Sequence, residues 1–307
     1  MHYAVAFLLL TGVAAGAAAG PGADGLFVSE VETVAEGLRF TEGPAWSPEG
    51  YLVFSDIPAD MIYRLTEEGR EVFRRPSGHS NGLAFDAEGR LLACEHGNRR
   101  VSITRKGGAV ETLAGRYEGK RLNSPNDLVV HTDGSVYFTD PPYGVDEENR
   151  ELDFQGVYRI GPDGKLTLLV DDFVKPNGLA LSPDEKTLYV ADTDRHQVRA
   201  FDLREDGTLA NGRTLVRVEP PEQLRPDGMK VDVEGNLYVA GVGGVWVFDP
   251  EGRKLTVLEL PQRPANLAFA GPEGRTLYIT ARSAVYRVRT RHAGVVVGGP
   301  RRIRNEG

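Results

Sequence analysis

The sequence predicts an all-β chain folded as a six-bladed β-propeller, with four antiparallel strands to a blade. Three observations lead there: a nine-residue motif that comes round six times, strand-like runs grouped after each occurrence, and a near absence of helical periodicity. The motif reads Glu42-Gly-Pro-Ala-Trp-Ser-Pro-Glu-Gly, Asn81-Gly-Leu-Ala-Phe-Asp-Ala-Glu-Gly, Asn126-Asp-Leu-Val-Val-His-Thr-Asp-Gly, Asn177-Gly-Leu-Ala-Leu-Ser-Pro-Asp-Glu, Asp227-Gly-Met-Lys-Val-Asp-Val-Glu-Gly and Asn266-Leu-Ala-Phe-Ala-Gly-Pro-Glu-Gly. In each, a side chain bearing a carbonyl or carboxylate oxygen stands seven residues before an acidic turn residue.

The third unit shows how a blade is spelled. Asp127 to His131 is an inner strand, Thr132-Asp133-Gly134 a hairpin turn, and Ser135 to Thr139 the second strand. Gly156-Val-Tyr-Arg and Leu166-Thr-Leu-Leu-Val supply the third and fourth. Second strands recur as Tyr51-Leu-Val-Phe, Leu91-Leu-Ala-Cys, Leu188-Tyr-Val-Ala, Leu237-Tyr-Val-Ala and Leu277-Tyr-Ile-Thr. Fourth strands follow in only five units, at Glu71 to Arg74, Val110 to Leu113, Leu166 to Val170, Arg213 to Val218 and Leu255 to Leu260. A ring left open exposes an unpaired edge. The unassigned strand-like segment Phe27 to Val34 is therefore expected to return as the outer strand of the last blade, giving one domain over residues 27–290 with a flexible tail at 291–307. The loops Gly115 to Pro125 and Pro141 to Gln155 flank the third unit and should overhang one mouth of the channel.

Composition narrows the function classes. With 44 acidic against 36 basic residues the net charge is −8, and no basic stripe runs through the repeats, which argues against a nucleic-acid partner. The single cysteine, Cys94, excludes an internal disulfide, so the core must hold the fold alone. Residues 1–20 lack Asp, Glu, Lys and Arg, carry the apolar run Ala4 to Leu10 and end in Ala17-Ala18-Ala19. They read as a secretory signal peptide, placing the protein in the periplasm or outside the cell, with a cytoplasmic location as the alternative. The apolar run is too short for a stable membrane span. Oligomeric state leaves no mark in the sequence.

The inner strands of a propeller line its channel, so the six residues that open them should point at one spot near one mouth. For any single Asn or Asp the plainer role is capping a turn through its own backbone. Six in register make a different case. Glu42 and Asp227 are acids, and burying two carboxylates together without a counter-ion costs several kcal/mol. An all-oxygen set suits a hard cation, Ca²⁺ first, then Mg²⁺ or Mn²⁺, whereas Zn²⁺ prefers His or Cys.

Further strings carry a resemblance: Phe40-Thr-Glu-Gly-Pro, Phe54-Ser-Asp-Ile-Pro, Ala93-Cys-Glu-His-Gly-Asn-Arg-Arg, Arg121-Leu-Asn-Ser-Pro-Asn-Asp, Phe138-Thr-Asp-Pro-Pro-Tyr-Gly, Lys175-Pro-Asn-Gly-Leu-Ala and Arg225-Pro-Asp-Gly-Met-Lys. From Phe27 to Val288 the chain resembles the SMP-30/gluconolactonase/luciferin-regenerating-enzyme family, bacterial gluconolactonases above all. The resemblance implies one divalent ion in the channel. It carries the family's metal ligands to Glu42, Asn177 and Asp227, with Asp227 also the general base, and a further asparagine near metal and substrate to Asn126. The family's substrate-binding arginine meets Ser124 here, and Arg121 is the candidate to replace it. Sugar-lactone hydrolysis is the implied activity. Because a ligating carboxylate is a weak base, His96 or Glu95 is a candidate helper, with His79 behind them. Asn81 is expected to contact substrate or to support the residues that do, Asn266 to serve structure, Tyr143 to wall the pocket or pack in the core, and Asp192 to solvate its loop or reach the pocket. Two alternatives share the scaffold: a calcium-dependent esterase or phosphotriesterase-like hydrolase, and a non-enzymatic binding propeller with a structural ion.

Overall fold

The computed structural model describes residues 25–105 and 107–295. The expected leader at 1–20 and the tail from 296 onward lie outside these. Six four-stranded antiparallel sheets follow one another; five are hydrogen-bonded in chain order from an inner to an outer strand, and the sixth takes its outer strand from the start of the chain. The inner strands are Thr41–Trp46, Ser80–Phe85, Leu128–Val130, Pro176–Leu181, Met229–Val231 and Asn266–Ala270. All six follow or contain the residues that open the repeated motif. Among the described residues no helix is long and apolar enough to cross a membrane.

Ring closure falls where the missing strand predicts it. Glu32–Ala35 pairs antiparallel with Ala284–Arg289 and forms the outer edge of the sixth blade. The segment begins earlier, at a bridge between Phe27 and Thr290. Phe27 is fully buried and meets Tyr238 edge-on at 6.1 Å, so the closing segment is wedged between blades five and six. Burying one such ring contributes about 1.5–3 kcal/mol. The tail expected from residue 291 starts with anchored backbone: the Val233 N–H donates to the Ala293 carbonyl (2.8 Å) and the Val295 N–H to the Val231 carbonyl (2.9 Å).

Close approach of the inner strands explains the glycine that follows four of the ring residues. A Cβ on Gly178 would lie 2.3 Å from the Asp227 carbonyl oxygen, and one on Gly82 2.7 Å from that of Asn126. Blade three carries Asp127 at this register instead. In blades one, two and four the pairing slips between Glu42 and Ala45, Ser80 and Leu83, and Pro176 and Leu179. Such bulges re-aim the side chains within them.

A second device fixes the segments that deliver the ring residues. Asp56 accepts the backbone N–H groups of Arg39 and Phe40 at 3.0 and 3.1 Å, Asp140 those of Asn123 and Ser124 at 2.7 and 2.8 Å, and Asp192 those of Val174 and Lys175 at 3.1 and 3.0 Å. Each acid ends a second strand and clips the approach to the first strand of its own blade. Blade two places Glu95 there, buried and bound by Arg74 (2.8 Å) and Arg100 (2.7 Å). Blades five and six end the same strands in Gly241 and Ala281 and have no such clip.

Candidate active site in the channel mouth

Glu42, Asn81, Asn126, Asn177 and Asn266 are all buried, and Asp227 is half-buried. The amides are linked across blades. Asn81 donates to the Asn126 side-chain oxygen, Asn126 donates to that of Asn177 at 2.6 Å, and Asn177 Nδ2 lies 3.2 Å from the Tyr143 hydroxyl and 3.1 Å from Thr193 Oγ1. Thr193 in turn donates to the Pro226 carbonyl at 2.7 Å, which ties blade four to the residue beside Asp227.

The acids are poorly compensated. Glu42 accepts the N–H of Gly43 at 2.9 Å, yet its carboxyl is held well above the usual range, first by burial and then by the charge of Asp227. Burial likewise pushes Asp227 up to about 7, against the pull of Arg263 and a hydrogen bond from Asn177. A hard dication would relieve both. The donor set fits it: two acidic oxygens flanked by amide oxygens, with Glu42, Asp227, Asn177 and Asn126 as the residues that would hold the ion. No cluster of three or more His, Cys, Asp or Glu able to hold a metal occurs among the described residues, so the amides must complete any such shell.

Other candidates sort by geometry. Tyr143 joins the ring through Asn177 and stacks on His96, with ring centroids 6.2 Å apart. His96 lies 3.4 Å from the Asn81 amide, and burial lowers its pKa to about 4. Neutral at pH 7, the imidazole accepts a hydrogen bond from the Asn81 amide and orients it. Glu95 is spent on Arg74 and Arg100, Asp192 on its backbone clip, and His79 Nδ1 sits 2.8 Å from the Ile57 carbonyl. Arg121 stands apart from the ring. Its N–H binds the Glu151 carboxylate at 2.6 Å, and its side chain lines an outer hollow with Arg99, Arg100 and Arg116. Ser124, in the place where the family carries its arginine, is wholly buried.

Sequence reasoning missed Asp127, a third buried acid beside the ring. It accepts from Asn266 at 3.3 Å; burial raises its carboxyl and Lys230 opposes the rise. The signal was an acid at the register where four other units have glycine. Thr193 was missed as well, and nothing in its local sequence marks it.

The chain is 38% identical to a gluconolactonase of Zymomonas mobilis over 296 residues, covering 86% of this chain and 82% of the relative. It is 30% identical to regucalcin of Xenopus laevis, covering 81% and 85%. A solved gluconolactonase from Xanthomonas campestris superposes with a TM-score of 0.81 at 36% identity, covering 90% of this chain and 98% of that one. The model of the SMP-30/gluconolactonase/LRE-like region matches residues 40–283, a stretch that holds all six ring residues. The chain belongs to the SMP-30/gluconolactonase/LRE-like family.

Proposed function

We propose that this protein is a lactonase that opens a sugar lactone at the channel mouth, using Asp227 as general base and one divalent cation, Ca²⁺ first, held by Glu42, Asp227, Asn177 and Asn126. Gluconolactonase relatives at 38% and 36% identity support the lactone as substrate class. The observation that carries the chemistry is the Glu42 and Asp227 pair, one buried and one half-buried, close enough that the charge of Asp227 raises Glu42. When bound, the cation supplies a Lewis acid for the lactone carbonyl and the oxyanion that follows from it.

The chain's own residues do the rest. Asp227 takes a proton from the water that attacks the ring ester, and its partial exposure gives that water access. The nearby Asn177 amide helps to stabilise the Asp227 carboxylate, and the clip from Asp192 fixes the strand that carries Asn177. Tyr143 and His96 stack into one wall of the pocket and limit how the lactone ring can lie. Export to the periplasm or beyond belongs to the proposal on the strength of residues 1–20 alone.

The test is acid release from glucono-1,5-lactone with and without chelator. Turnover above the spontaneous rate that vanishes on chelation and returns with Ca²⁺ supports the proposal; a rate equal to the spontaneous one in saturating Ca²⁺ ends it.

A further inference from the structure

Beside the ring, on the side of blades four to six, two cations share one acid and a third adjoins them. Lys175 Nζ lies 3.0 Å from Asp194 Oδ2, and Arg225 Nη2 lies 3.4 Å from Asp194 Oδ1. Arg263 donates to the Arg225 carbonyl at 3.4 Å, and its charge acts on Asp227 rather than on Asp194. None of the three is deeply buried. All are tied to the site. Lys175 sits over the Tyr143 ring at 5.3 Å, and Tyr143 meets Asn177. Arg225 is two residues before Asp227 and holds a left-handed backbone, φ 38°, which a side chain other than glycine adopts at a cost. Arg225 and Arg263 are also the two cations whose charge reaches the Asp227 carboxylate.

The simplest account of such cations is that they offset the ring acids. A dication held by Glu42 and Asp227 would take over that task and leave the rim with a surplus of positive charge. A positive rim with one-sided placement recognises an anion on the substrate rather than its neutral hydroxyl groups.

We propose that Lys175, Arg225 and Arg263 form an anion-recognising rim, and that the preferred substrate is a sugar lactone bearing a second, anionic substituent, a carboxylate or a phosphate, remote from the ester. This rests on the lactonase reading and adds to it the substrate's charge. The anion is held by charge-assisted hydrogen bonds from blades four to six while the ester carbonyl faces Glu42 and Asp227. Electrostatic attraction at an open rim acts on encounter as well as on affinity, so the preference weakens as salt is added.

The experiment compares kcat/KM for glucono-1,5-lactone, its 6-phosphate and a sugar-diacid monolactone, at low and at about 0.5 M salt, where screening is nearly complete beyond contact distance. One or both anionic lactones should be preferred by about tenfold or more, equivalent to roughly 1.4 kcal/mol. The ratio of anionic to neutral kcat/KM should fall in high salt, and again in Arg263→Gln and Lys175→Gln. Which anionic lactone leads distinguishes carboxylate from phosphate. Equal rates on all three, or a preference that neither salt nor the variants change, overturns the rim. Should no lactone be turned over, the lactonase reading fails separately, and calorimetry with the open-chain sugar diacid and with the sugar alcohol decides the rim. Binding of the diacid alone, lost in Arg263→Gln, upholds it, and no binding of the diacid by wild type removes it.

Discussion

The two ends of the inner strands carry the same kind of residue under opposite conditions. At the ring end, Glu42 and Asp227 are pushed above the usual carboxylate range because burial strips their water and neighbouring acids repel them, Asp227 acting on Glu42 and Asp127 on Asp227. At the turn end, acids of the same repeat are well supplied with donors. Asp184 accepts the Ser182 hydroxyl at 2.6 Å and the Lys186 N–H at 3.1 Å, and these hold its carboxyl below the usual range. Asp232 accepts from Glu234 and Asn236 at 3.0 and 2.9 Å. The turn acids satisfy backbone and stabilise hairpins. The ring acids have fewer such donors, so burial raises them and their ionised forms await a cation. An acid in a repeat is structural or reactive according to how many N–H and O–H groups reach it.

Removing one ring acid breaks this contrast with the largest effect. Asp227→Asn should lower kcat by about 10²–10⁴-fold, the usual contribution of a general base, while melting no lower than wild type in metal-free buffer, because the repulsion on Glu42 is gone. Full activity in that variant would assign the base elsewhere.

Acid titration sharpens the contrast. The folded-state pKa of Asp227 is raised from 3.8 to about 7, so the folded state prefers the protonated form. Its contribution to stability is full below about pH 4 and is lost as pH rises through 7. Metal-free protein should therefore lose melting temperature between pH 5 and pH 8, and saturating Ca²⁺ should restore it. Calcium at about 100 times its Kd adds about 2.7 kcal/mol, a shift of a few degrees in a domain of this size. Identical melting curves with and without Ca²⁺ at pH 8 would count against a bound ion.

At the turn end the expected effect is smallest. Asp184 is exposed, and Asp184→Ala should cost under about 1 kcal/mol at pH 7, the value of an ordinary hydrogen bond. The sign is opposite to that of the ring: a lowered pKa means stability present above the unfolded value and lost as pH falls through the folded one. Urea titrations at pH 7 and pH 3 should show the difference between variant and wild type shrinking in acid.

Much of the fold was legible because each blade repeats the same short-range code. Asp-Gly and Glu-Gly turns set hairpins, alternating apolar residues set strands, and a count of five outer strands for six blades pointed to Phe27 to Val34 for closure. The ring followed from register, which carries Glu42 and Asp227 to one mouth. The fate of individual polar residues was not legible. Glu95 and His96 stand side by side in the sequence, yet one is consumed by Arg74 and Arg100 and the other lies half-buried and neutral against Asn81. Arg121, taken as a stand-in for the family's arginine, faces an outer hollow because its hairpin, Arg116–Tyr117 with Lys120–Arg121, turns its N–H to Glu151.

By itself, then, the amino-acid sequence determined the number of blades, the closing strand and the set of oxygen donors at the axis, since all of these are written in spacings of a few residues. Only the tertiary structure decided which acids are short of donors, how Asn81, Asn126 and Asn177 link into one chain, and that Lys175 and Arg225 meet at Asp194 with Arg263 against Arg225. The physical reason is that charge and hydrogen-bond balance depend on neighbours brought from other blades, such as Asn266 against Asp127 across 139 residues of chain.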